Sequence, residues 1–249
     1  MSGAPLDLSV VIPVYNEEDN LPLLMPELRA VLDGLGLAYE VLFVDDGSRD
    51  RSAEIVRGFR EDDPRVRLVR LKANAGETAA TDAGFKAARG RLVVTMDADL
   101  QNDPRDIPLL LRHLEQWDAV TGWRVSRRDG DSLLRRLSSR VANRVRNRLS
   151  DDVIRDSGCT FRAFRRECLR GLVLYRGFHR FIPTLLKMRG YRVLEVPVRN
   201  RPRRFGQSKY GVLDRVFGAT ADLLVVRWMK SRILRYEVAE DLGDELVRD

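Results

Sequence analysis

Apolar runs and helical patterns alternate through the first half of the 249-residue chain. Runs rich in β-branched residues predict buried strands at Leu8–Val14, Tyr39–Val44, Val66–Leu71 and Leu92–Met96. Apolar residues recur on one helical face between Leu21 and Leu35, and Asp103-Pro104 predicts a further helix with a capping Asp and a Pro at its first position. The βαβαβαβ order predicts an α/β fold, with a mostly parallel sheet and helices on both faces.

The second half of the chain is less regular. It has predicted strands at Thr160–Phe164 and Arg192–Val198 and a long final helix within Tyr210–Tyr236. We find no internal repeat or linker, and therefore expect a single domain over residues 1–236. Its halves are 1–122 and 123–236, and residues 237–249 form a polar tail.

Cysteine spacing and apolar windows indicate the compartment. Cys159 and Cys168 lack the spacing of a disulfide framework or a zinc site, so we expect two reduced thiols. No basic region precedes a long apolar stretch at the N-terminus, so we expect neither a signal peptide nor a transit peptide. The apolar window Val216–Met229 is interrupted by Asp222 and Arg227 and is too short to span a bilayer. We expect a cytoplasmic protein.

Acidic segments directly follow three of the predicted strands. They are Tyr15-Asn16-Glu17-Glu18, Asp45-Asp46-Gly47-Ser48 and Asp97-Ala98-Asp99-Leu100-Gln101-Asn102. Because open parallel sheets bind ligands beyond the carboxyl ends of their strands, we expect these segments to converge on one crevice. No Gly-rich phosphate loop follows the first strand, which disfavours nicotinamide cofactors and P-loop hydrolysis.

Each acidic segment has a functional and a structural interpretation. Asp97 and Asp99 can share Mg²⁺ or Mn²⁺, with Gln101 adding a carbonyl oxygen, but helix-capping and turn acids have the same pattern. Asp46 and its neighbours can accept hydrogen bonds from ribose hydroxyls or a base edge, or form an ordinary Asp-Gly turn. The residues alone leave these alternatives open.

The two halves of the chain carry net charges of opposite sign. Residues 1–122 contain 14 basic and 22 acidic side chains (net −8), and residues 123–249 contain 30 and 15 (net +15). Residues 123–148 include nine Arg and two Asp, with apolar residues at helical spacing, which is typical either of a helix lying on an anionic membrane or of a solvated basic helix. A second basic run, from Arg199 to Lys209, is either a phosphate-binding loop or a plain solvated loop.

Six motifs, in this order and spacing, resemble those of family-2 glycosyltransferases with the GT-A fold. They are Val10-Val11-Ile12-Pro13-Val14-Tyr15-Asn16-Glu17-Glu18, Val44-Asp45-Asp46-Gly47-Ser48, Asn74-Ala75-Gly76, Met96-Asp97-Ala98-Asp99-Leu100-Gln101, Asp156-Ser157-Gly158-Cys159 and Gly206-Gln207-Ser208-Lys209-Tyr210. The resemblance spans nearly the whole chain and is to the branch that makes polyprenol-phosphate sugars for cell envelope and other glycans. It implies a Rossmann-like GT-A sheet followed by amphipathic and C-terminal helices.

The resemblance also implies a role for each matching residue. The nucleoside would contact Pro13, Tyr15, Glu17 and Asp46, with Asp97 near the ribose, and Mg²⁺ or Mn²⁺ would bind Asp99 and Gln101. The donor diphosphate would contact Arg201, Arg203, Ser208 and Lys209, and the acceptor phosphate would contact Arg124, Arg135 and Ser139. Asp99 and Asp156 would be catalytic, Asp156 either as a base or as an orienting residue.

The implied reaction moves a sugar from a nucleotide diphosphate donor to a polyprenyl phosphate. A lipid phosphate is already an anionic nucleophile, so direct displacement with inversion requires positioning more than proton removal. The resemblance favours a UDP-sugar, with GDP-mannose as the alternative. Many bacterial relatives continue into two transmembrane helices that this sequence lacks, so we expect peripheral attachment to the cytoplasmic face of the membrane, through the basic helix or a separate anchor protein.

Two rival functions remain at this point. One is a related transferase that acts on a soluble glycan or protein. The other is a nucleic-acid-binding protein, suggested by the isoelectric point near 9.8, but residues 124–149 contain no aromatic side chain on which bases could stack. We therefore expect no nucleic-acid partner. The two histidines lack metal-ligand spacing; we expect His113 to be structural, and His179 resembles a segment near the acceptor.

Overall fold

The strands and helices of the protein follow from a computed structural model that describes residues 6–125, 154–202 and 212–234, with side chains from residue 221 onward in the last range. The strands in these ranges are β1 (Leu8–Val14), β2 (Tyr39–Asp45), β3 (Val66–Arg70), β4 (Leu92–Thr95), β5 (Ala119–Arg124), β6 (Arg162–Arg165) and β7 (Val193–Val198). The α-helices are α1 (Leu21–Asp33), α2 (Ser52–Asp62), α3 (Glu77–Ala87), α4 (Ile107–His113), α5 (Ile182–Met188) and α6 (Val212–Ser231). Short 3-10 helices occur at Pro104–Asp106, Arg166–Leu169 and Phe178–Phe181.

The strands form one sheet in the order β3-β2-β1-β4-β6-β5-β7. All described neighbouring strands pair in parallel except β6, which runs antiparallel to both β4 and β5. The chain places β2 and β3 on one side of β1 and then β4 on its other side. The direction in which successive strands are added to the sheet thus reverses between β1 and β4. Open α/β sheets bind ligands in the crevice at such a point.

The α/β prediction is confirmed, and most strand positions agree closely with it. The predicted strand beginning at Thr160 starts at Arg162 instead, because Thr160 is still in the preceding loop. Strand β5 was not predicted, since its run is short and ends in Trp123 and Arg124. Asp103 caps the helical segment as predicted, its side chain accepting the Arg105 N–H. No helix among the described residues is long and apolar enough to cross a bilayer.

Helices cover both faces of the sheet. Alternate residues of β1 pack on one face with α1, α2 and α4, and those between them pack on the other face with α3 and α5. A third apolar cluster joins α6 to the rest of the domain through Phe178, Phe181, Leu185, Leu223 and Val226. The two cysteines are buried and free, as expected.

Helix α3 approaches β1 closely at Gly84. A Cβ at this position would lie 2.3 Å from Val11 Cγ1 and 3.2 Å from Val44 Cγ2. Both valines are completely buried. The absence of a side chain at Gly84 therefore lets α3 lie close against the sheet. In return, a glycine within a helix loses more conformational entropy on folding than alanine would.

This packing generates a prediction with a matched control. Gly84→Ala should lower the free energy of unfolding by about 1–3 kcal/mol through overpacking, even though alanine is the better helix former. Gly58→Ala in α2 has open space around its new methyl group and should raise it by about 0.5–1 kcal/mol. Chemical denaturation of both variants measures the difference, and stabilisation by both would contradict the close approach.

Candidate functional site

Asp97 and Asp99 lie in a tight turn after β4. The Asp97 carboxylate accepts a hydrogen bond from the Thr160 hydroxyl at 2.6 Å, and the Asp97 N–H donates to the Asn102 side chain at 2.9 Å. One Asp99 oxygen accepts the Gln101 N–H at 3.1 Å. The structure thus brings the predicted ribose and metal residues together at the carboxyl end of β4.

A segment after β7 supports this turn. Asn200 forms an isolated antiparallel bridge with Asn102, and the Arg201 N–H donates to the Gln101 carbonyl at 2.9 Å. Leu100 has φ +64°, a left-handed conformation that is unfavourable for leucine and is found mainly where surrounding structure enforces it. The hydrogen bonds from residues 200 and 201 to residues 101 and 102 hold the turn in this conformation.

Negative charge is concentrated in the crevice. Burial, followed by the charge of Asp99, raises the pKa of Asp97 to about 6. Burial, followed by the charge of Asp97, also raises the pKa of Glu77 in the first turn of α3. The Glu77 side chain still keeps 40% of its surface exposed. A cation entering the crevice would lower these pKa values, because each carboxylate would gain an opposite charge.

Asp97, Asp99 and Gln101 are suited to a hard divalent cation. Mg²⁺ prefers oxygen ligands and often binds through one or two carboxylates, with substrate phosphates and water completing its coordination. Two mutually repelling carboxylates in one turn provide this chemistry. Within the described ranges, no group of three or more His, Cys, Asp or Glu side chains could hold a metal ion. Asp97 and Asp99 are two carboxylates, the number through which Mg²⁺ often binds when phosphates and water supply its other ligands.

Asp46, after β2, holds the loop that leads into α3. Its carboxylate accepts the N–H groups of Ala75 (2.7 Å) and Gly76 (2.9 Å) and the Asn74 side-chain amide (2.8 Å). Gly47 has φ +69°, and a Cβ there would lie 2.7 Å from the backbone of the same loop. In this conformation both Asp46 oxygens stabilise the protein's own loop, and a nucleoside contact by Asp46 stays a prediction.

The loops after β1 and β2 are joined by hydrogen bonds. The Asn16 N–H donates to the Ser48 hydroxyl at 3.0 Å, and the Glu17 N–H donates to the Ser52 hydroxyl at 2.8 Å. Asn16 has φ +55°, a conformation that asparagine tolerates better than most residues. The ends of these parallel strands bring together the residues predicted to contact the nucleoside, namely Pro13, Tyr15, Glu17 and Asp46.

Asp156 pairs with Arg124 at the end of β5. Asp156 Oδ2 accepts from Arg124 Nε at 2.8 Å and Oδ1 accepts from Nη2 at 2.9 Å, a two-point pairing. The N–H groups of Arg124 and Gly158 also donate to this carboxylate, each at 3.2 Å. The Arg124 side chain stays 38% exposed, and its charge lowers the pKa of Asp97. Asp156 therefore fixes an accessible cation beside the acidic turn.

The protonation of Asp156 bears on its predicted role. Burial alone would raise the pKa of Asp156, but the hydrogen bonds and charge of Arg124 outweigh burial and hold it below its ordinary value. A carboxylate with a depressed pKa is a weak base near neutral pH. Of the two predicted roles, the geometry favours orientation of Arg124.

The predicted diphosphate residue Arg201 takes part in ion pairs. Its guanidinium contacts Glu27 at 2.5 Å and Asp103 at 2.8 Å. In this conformation it anchors the segment that supports the acidic turn. Several other predicted residues lie outside the described ranges: Arg203, Ser208, Lys209, Arg135, Ser139 and the basic helix from residue 126 onward.

Several residues that the sequence analysis did not assign also build the crevice. Arg162 is fully buried on β6 and donates to the carbonyls of His179 (2.6 Å) and Ser157 (3.2 Å). Thr160 holds Asp97. Thr160 and Arg162 both lie in the predicted strand Thr160–Phe164. A polar side chain within an otherwise apolar strand could have identified each of them as a site residue. Glu77 directly follows the Asn74-Ala75-Gly76 motif, which was a second signal.

His179 links the crevice to the third apolar cluster. Its Nδ1 lies 2.7 Å from the Thr78 hydroxyl, and its Nε2 lies 3.5 Å from a Glu77 carboxylate oxygen. Burial, followed by the charges of Arg180 and Arg162, lowers the pKa of His179 to about 3, so the imidazole is neutral near neutral pH. The contacts of His179 are those of a buried residue that connects α3 to the 3-10 helix; a role near the acceptor stays a prediction.

Curated relatives resemble the chain over most of its length. It is 41% identical over 208 residues to the undecaprenyl-phosphate 4-deoxy-4-formamido-L-arabinose transferase of Edwardsiella ictaluri, covering 83% of this chain and 63% of that protein. It is 43% identical over 216 residues to the transferase of the same name from Pseudomonas aeruginosa, covering 86% and 63%. The chain thus spans about 63% of the length of these relatives.

Solved structures share the fold. Glucosyl-3-phosphoglycerate synthase from Mycobacterium tuberculosis, in complex with Mn²⁺, UDP and phosphoglyceric acid, matches with a TM-score of 0.65 and 20% identity over 92% of this chain and 80% of that one. A mannosyltransferase from Pyrobaculum calidifontis, in complex with GDP-Man and Mn²⁺, matches with a TM-score of 0.61 and 23% identity, covering 92% and 65%.

The family follows from the domain match together with these relatives. Residues 9–173 match the family model described as glycosyl transferase family 2. This range contains the acidic turn, the loops after β1 and β2, and the Arg124–Asp156 pair. The architecture around them is the α/β fold of GT-A glycosyltransferases. The chain belongs to glycosyl transferase family 2.

Proposed function

We propose that the protein is an inverting, metal-dependent glycosyltransferase that moves a sugar from a nucleoside diphosphate donor to a polyprenyl phosphate. The observation that carries this proposal is the placement of an accessible, carboxylate-fixed arginine, Arg124, beside the acidic turn of Asp97 and Asp99. The turn suits a cation-bound diphosphate, and the arginine suits a second phosphate. The names of the curated relatives support undecaprenyl phosphate as that acceptor.

The donor would lie across the carboxyl ends of β1, β2 and β4. Its nucleoside would contact the loops containing Tyr15, Glu17 and Asp46, and its diphosphate would lie near Asp99 and Gln101. A bound Mg²⁺ or Mn²⁺ would offset the negative charge of the diphosphate and stabilise it as a leaving group. We favour a UDP-sugar because the chain resembles undecaprenyl-phosphate transferases. GDP-mannose is the alternative, since solved structures of the same fold contain UDP or GDP-Man.

The acceptor phosphate would bind Arg124 through the guanidinium N–H groups that do not point at Asp156. Arginine's planar donors match phosphate oxygens, and the two-point pairing with Asp156 fixes the plane of the guanidinium before the acceptor arrives. A phosphate oxygen then attacks the anomeric carbon as the bond from that carbon to the diphosphate breaks. No proton must be removed, which agrees with the depressed pKa of Asp156. Attack opposite the leaving group gives a β-linked product from an α-linked donor.

A polyprenyl phosphate acceptor would require the protein to work at a membrane surface. We propose peripheral association with the cytoplasmic face, because a polyprenyl chain is held in the bilayer while its phosphate reaches the surface. The second half of the chain, with net charge +15, fits attraction to anionic headgroups.

Nucleotide release tests the reaction and its acceptor. UDP-sugars, including UDP-4-deoxy-4-formamido-L-arabinose, and GDP-mannose are supplied with Mn²⁺, with and without undecaprenyl phosphate. We expect release of one nucleotide to depend on the lipid phosphate and to be abolished by Asp99→Ala, with the sugar recovered on the lipid. Release that ignores lipid phosphate and transfers sugar to a soluble glycan or protein would contradict the acceptor assignment.

Metal removal tests the acidic turn. Chelation should abolish transfer, and added Mn²⁺ or Mg²⁺ should restore it. Asp99→Asn should lower kcat/KM by roughly 10²–10³-fold, because one charged ligand is lost where leaving-group charge develops. Asp82→Asn, which removes a partly exposed carboxylate paired with Lys86, is the control and should retain activity and metal response. Full activity in chelator would contradict the metal assignment.

A double-mutant cycle distinguishes the two roles of Asp156. If it acts by holding Arg124, then Arg124→Met, Asp156→Asn and the double variant should lose similar kcat/KM, each roughly 10²-fold or more. If Asp156 acts as a base independently of Arg124, the loss in kcat/KM of the double variant should equal the product of the two single losses. Steady-state kinetics with undecaprenyl phosphate measure the cycle, and thermal melts of each variant show whether it is folded. Multiplying losses in folded variants would return Asp156 to the role of base.

A further inference from the structure

Exposed apolar side chains are concentrated in two segments. Among the described residues, eight large hydrophobic side chains are exposed, and six of them lie at residues 173–175 or in and just after α6. These six are Val173 (63% exposed), Tyr175 (57%), Leu224 (52%), Val225 (47%), Trp228 (61%) and Leu234 (83%). We call these six residues the apolar surface.

The two segments share one core, which fixes which residues face outward. Leu172 and Leu174 pack against the third apolar cluster, while Val173 between them is exposed. In α6, Leu223 and Val226 enter the same cluster, while Leu224, Val225 and Trp228 remain exposed at helical spacing. The apolar surface is therefore the outer side of elements that are already packed.

The same core joins the apolar surface to the crevice. A Cβ at Gly177 would lie 2.5 Å from Asp222 of α6, so the helix and the residue-177 loop are in close contact. The Gly177 N–H donates to the Thr78 hydroxyl at 3.0 Å, and Thr78 contacts His179 beside Glu77. This chain of contacts runs from α6 to the first turn of α3.

Positively charged residues outnumber acidic ones in the two segments that carry the apolar surface. The two segments, residues 169–176 and 221–234, contain the cations Arg170, Arg176, Arg227, Lys230 and Arg232. Their one acidic residue is Asp222, which lies against Gly177. An apolar stripe that includes Trp and Tyr, bordered by Lys and Arg, is the composition of helices that lie in the interface of an anionic bilayer. A second copy docked symmetrically would bring these cations close to one another, which disfavours self-association.

We propose that the apolar surface and its bordering cations are the face with which this protein lies on an anionic bilayer. The proposal deepens the proposed function, since it names the part of the described chain that would contact the membrane holding the acceptor. It predicts that α6 lies along the membrane surface with Trp228 in the interfacial region. The contacts through Gly177 and Thr78 then hold the crevice at a fixed position relative to that surface.

Vesicle sedimentation of the full chain tests this surface. Phosphatidylcholine vesicles with phosphatidylglycerol should bind the protein, and vesicles of phosphatidylcholine alone should bind it less. Leu224→Ser/Trp228→Ser should reduce the partition coefficient at least tenfold, while Leu23→Ser, an exposed leucine on α1 (38%), should leave it unchanged. Arg227→Glu/Arg232→Glu should remove the preference for anionic lipid, since each cation contributes roughly fivefold to binding. Melting temperatures confirm that the variants fold.

Two results would overturn the proposal. One is wild-type vesicle binding by the folded Leu224→Ser/Trp228→Ser variant. The other is a wild-type oligomer that this variant dissociates, with no vesicle binding by either protein, which would assign the surface to a second copy.

A short-chain, water-soluble prenyl phosphate distinguishes failure of the membrane-docking proposal from failure of the proposed function, because its use as an acceptor needs no membrane. The Leu224→Ser/Trp228→Ser variant should use it at the wild-type rate, while losing at least tenfold in rate on undecaprenyl phosphate in vesicles. If wild-type protein binds vesicles through this surface but uses neither phosphate, the proposed acceptor is wrong and the docking surface stands. Equal loss on both acceptors would overturn the docking role, because it would show damage to the crevice itself.

Discussion

Burial of the Arg162 guanidinium among acids is the constraint on which the crevice depends. Burial lowers the pKa of Arg162 overall, and nearby negative charges, including those of Glu77, Asp97 and Asp156, offset part of this effect. The guanidinium also donates to the backbone carbonyls of His179 and Ser157. A buried cation without such compensation would cost several kcal/mol. Conversely, burial and mutual repulsion raise the pKa values of Glu77 and Asp97, and the charge of Arg162 opposes this rise. The acids and the arginine therefore stabilise each other's charged forms.

Strand β6 places this cation, and its reversed direction is what makes the site possible. Because β6 lies antiparallel between β4 and β5, the residues that precede it lie next to the ends of both neighbours. Thr160 can then hold Asp97 after β4, while Asp156 pairs with Arg124 at the end of β5. A parallel strand in the same position would begin at the opposite edge of the sheet. The reversed strand β6 thus brings the turn of Asp97 next to the Arg124–Asp156 pair, the two parts that the proposed function assigns to the donor and to the acceptor.

Local patterns predicted the described strands of both halves except β5, but they did not predict how the strands of the second half pair. Strands β1 to β4 were predictable because each is a continuous apolar run, and their acids converge because parallel strands end at one edge. The position of β6 was not, since pairing between Val94 and Ala163 leaves no local signal. The same holds for side chains: the resemblance gave Arg124 and Asp156 separate roles, but their pairing joins residues 32 positions apart. Asp46, predicted as a ligand residue or a turn, holds a loop some 30 positions away.

The charge division of the sequence acquires a physical meaning from this geometry. The acidic half supplies the turn at which a cation-bound diphosphate would bind, and the basic half contains Arg124 and the other cations that would bind phosphate or lipid under the proposed function. A polyprenyl phosphate would be confined to the level of the bilayer headgroups, so an acceptor site at Arg124 would have to lie at that level. Contacts from α6 through Gly177, Thr78 and His179 reach Arg162, which also donates to the Ser157 carbonyl next to Asp156. The proposed membrane face and the Arg124–Asp156 pair would therefore move together. Membrane docking would thereby orient the crevice before the acceptor binds, which lowers the entropy cost of the encounter.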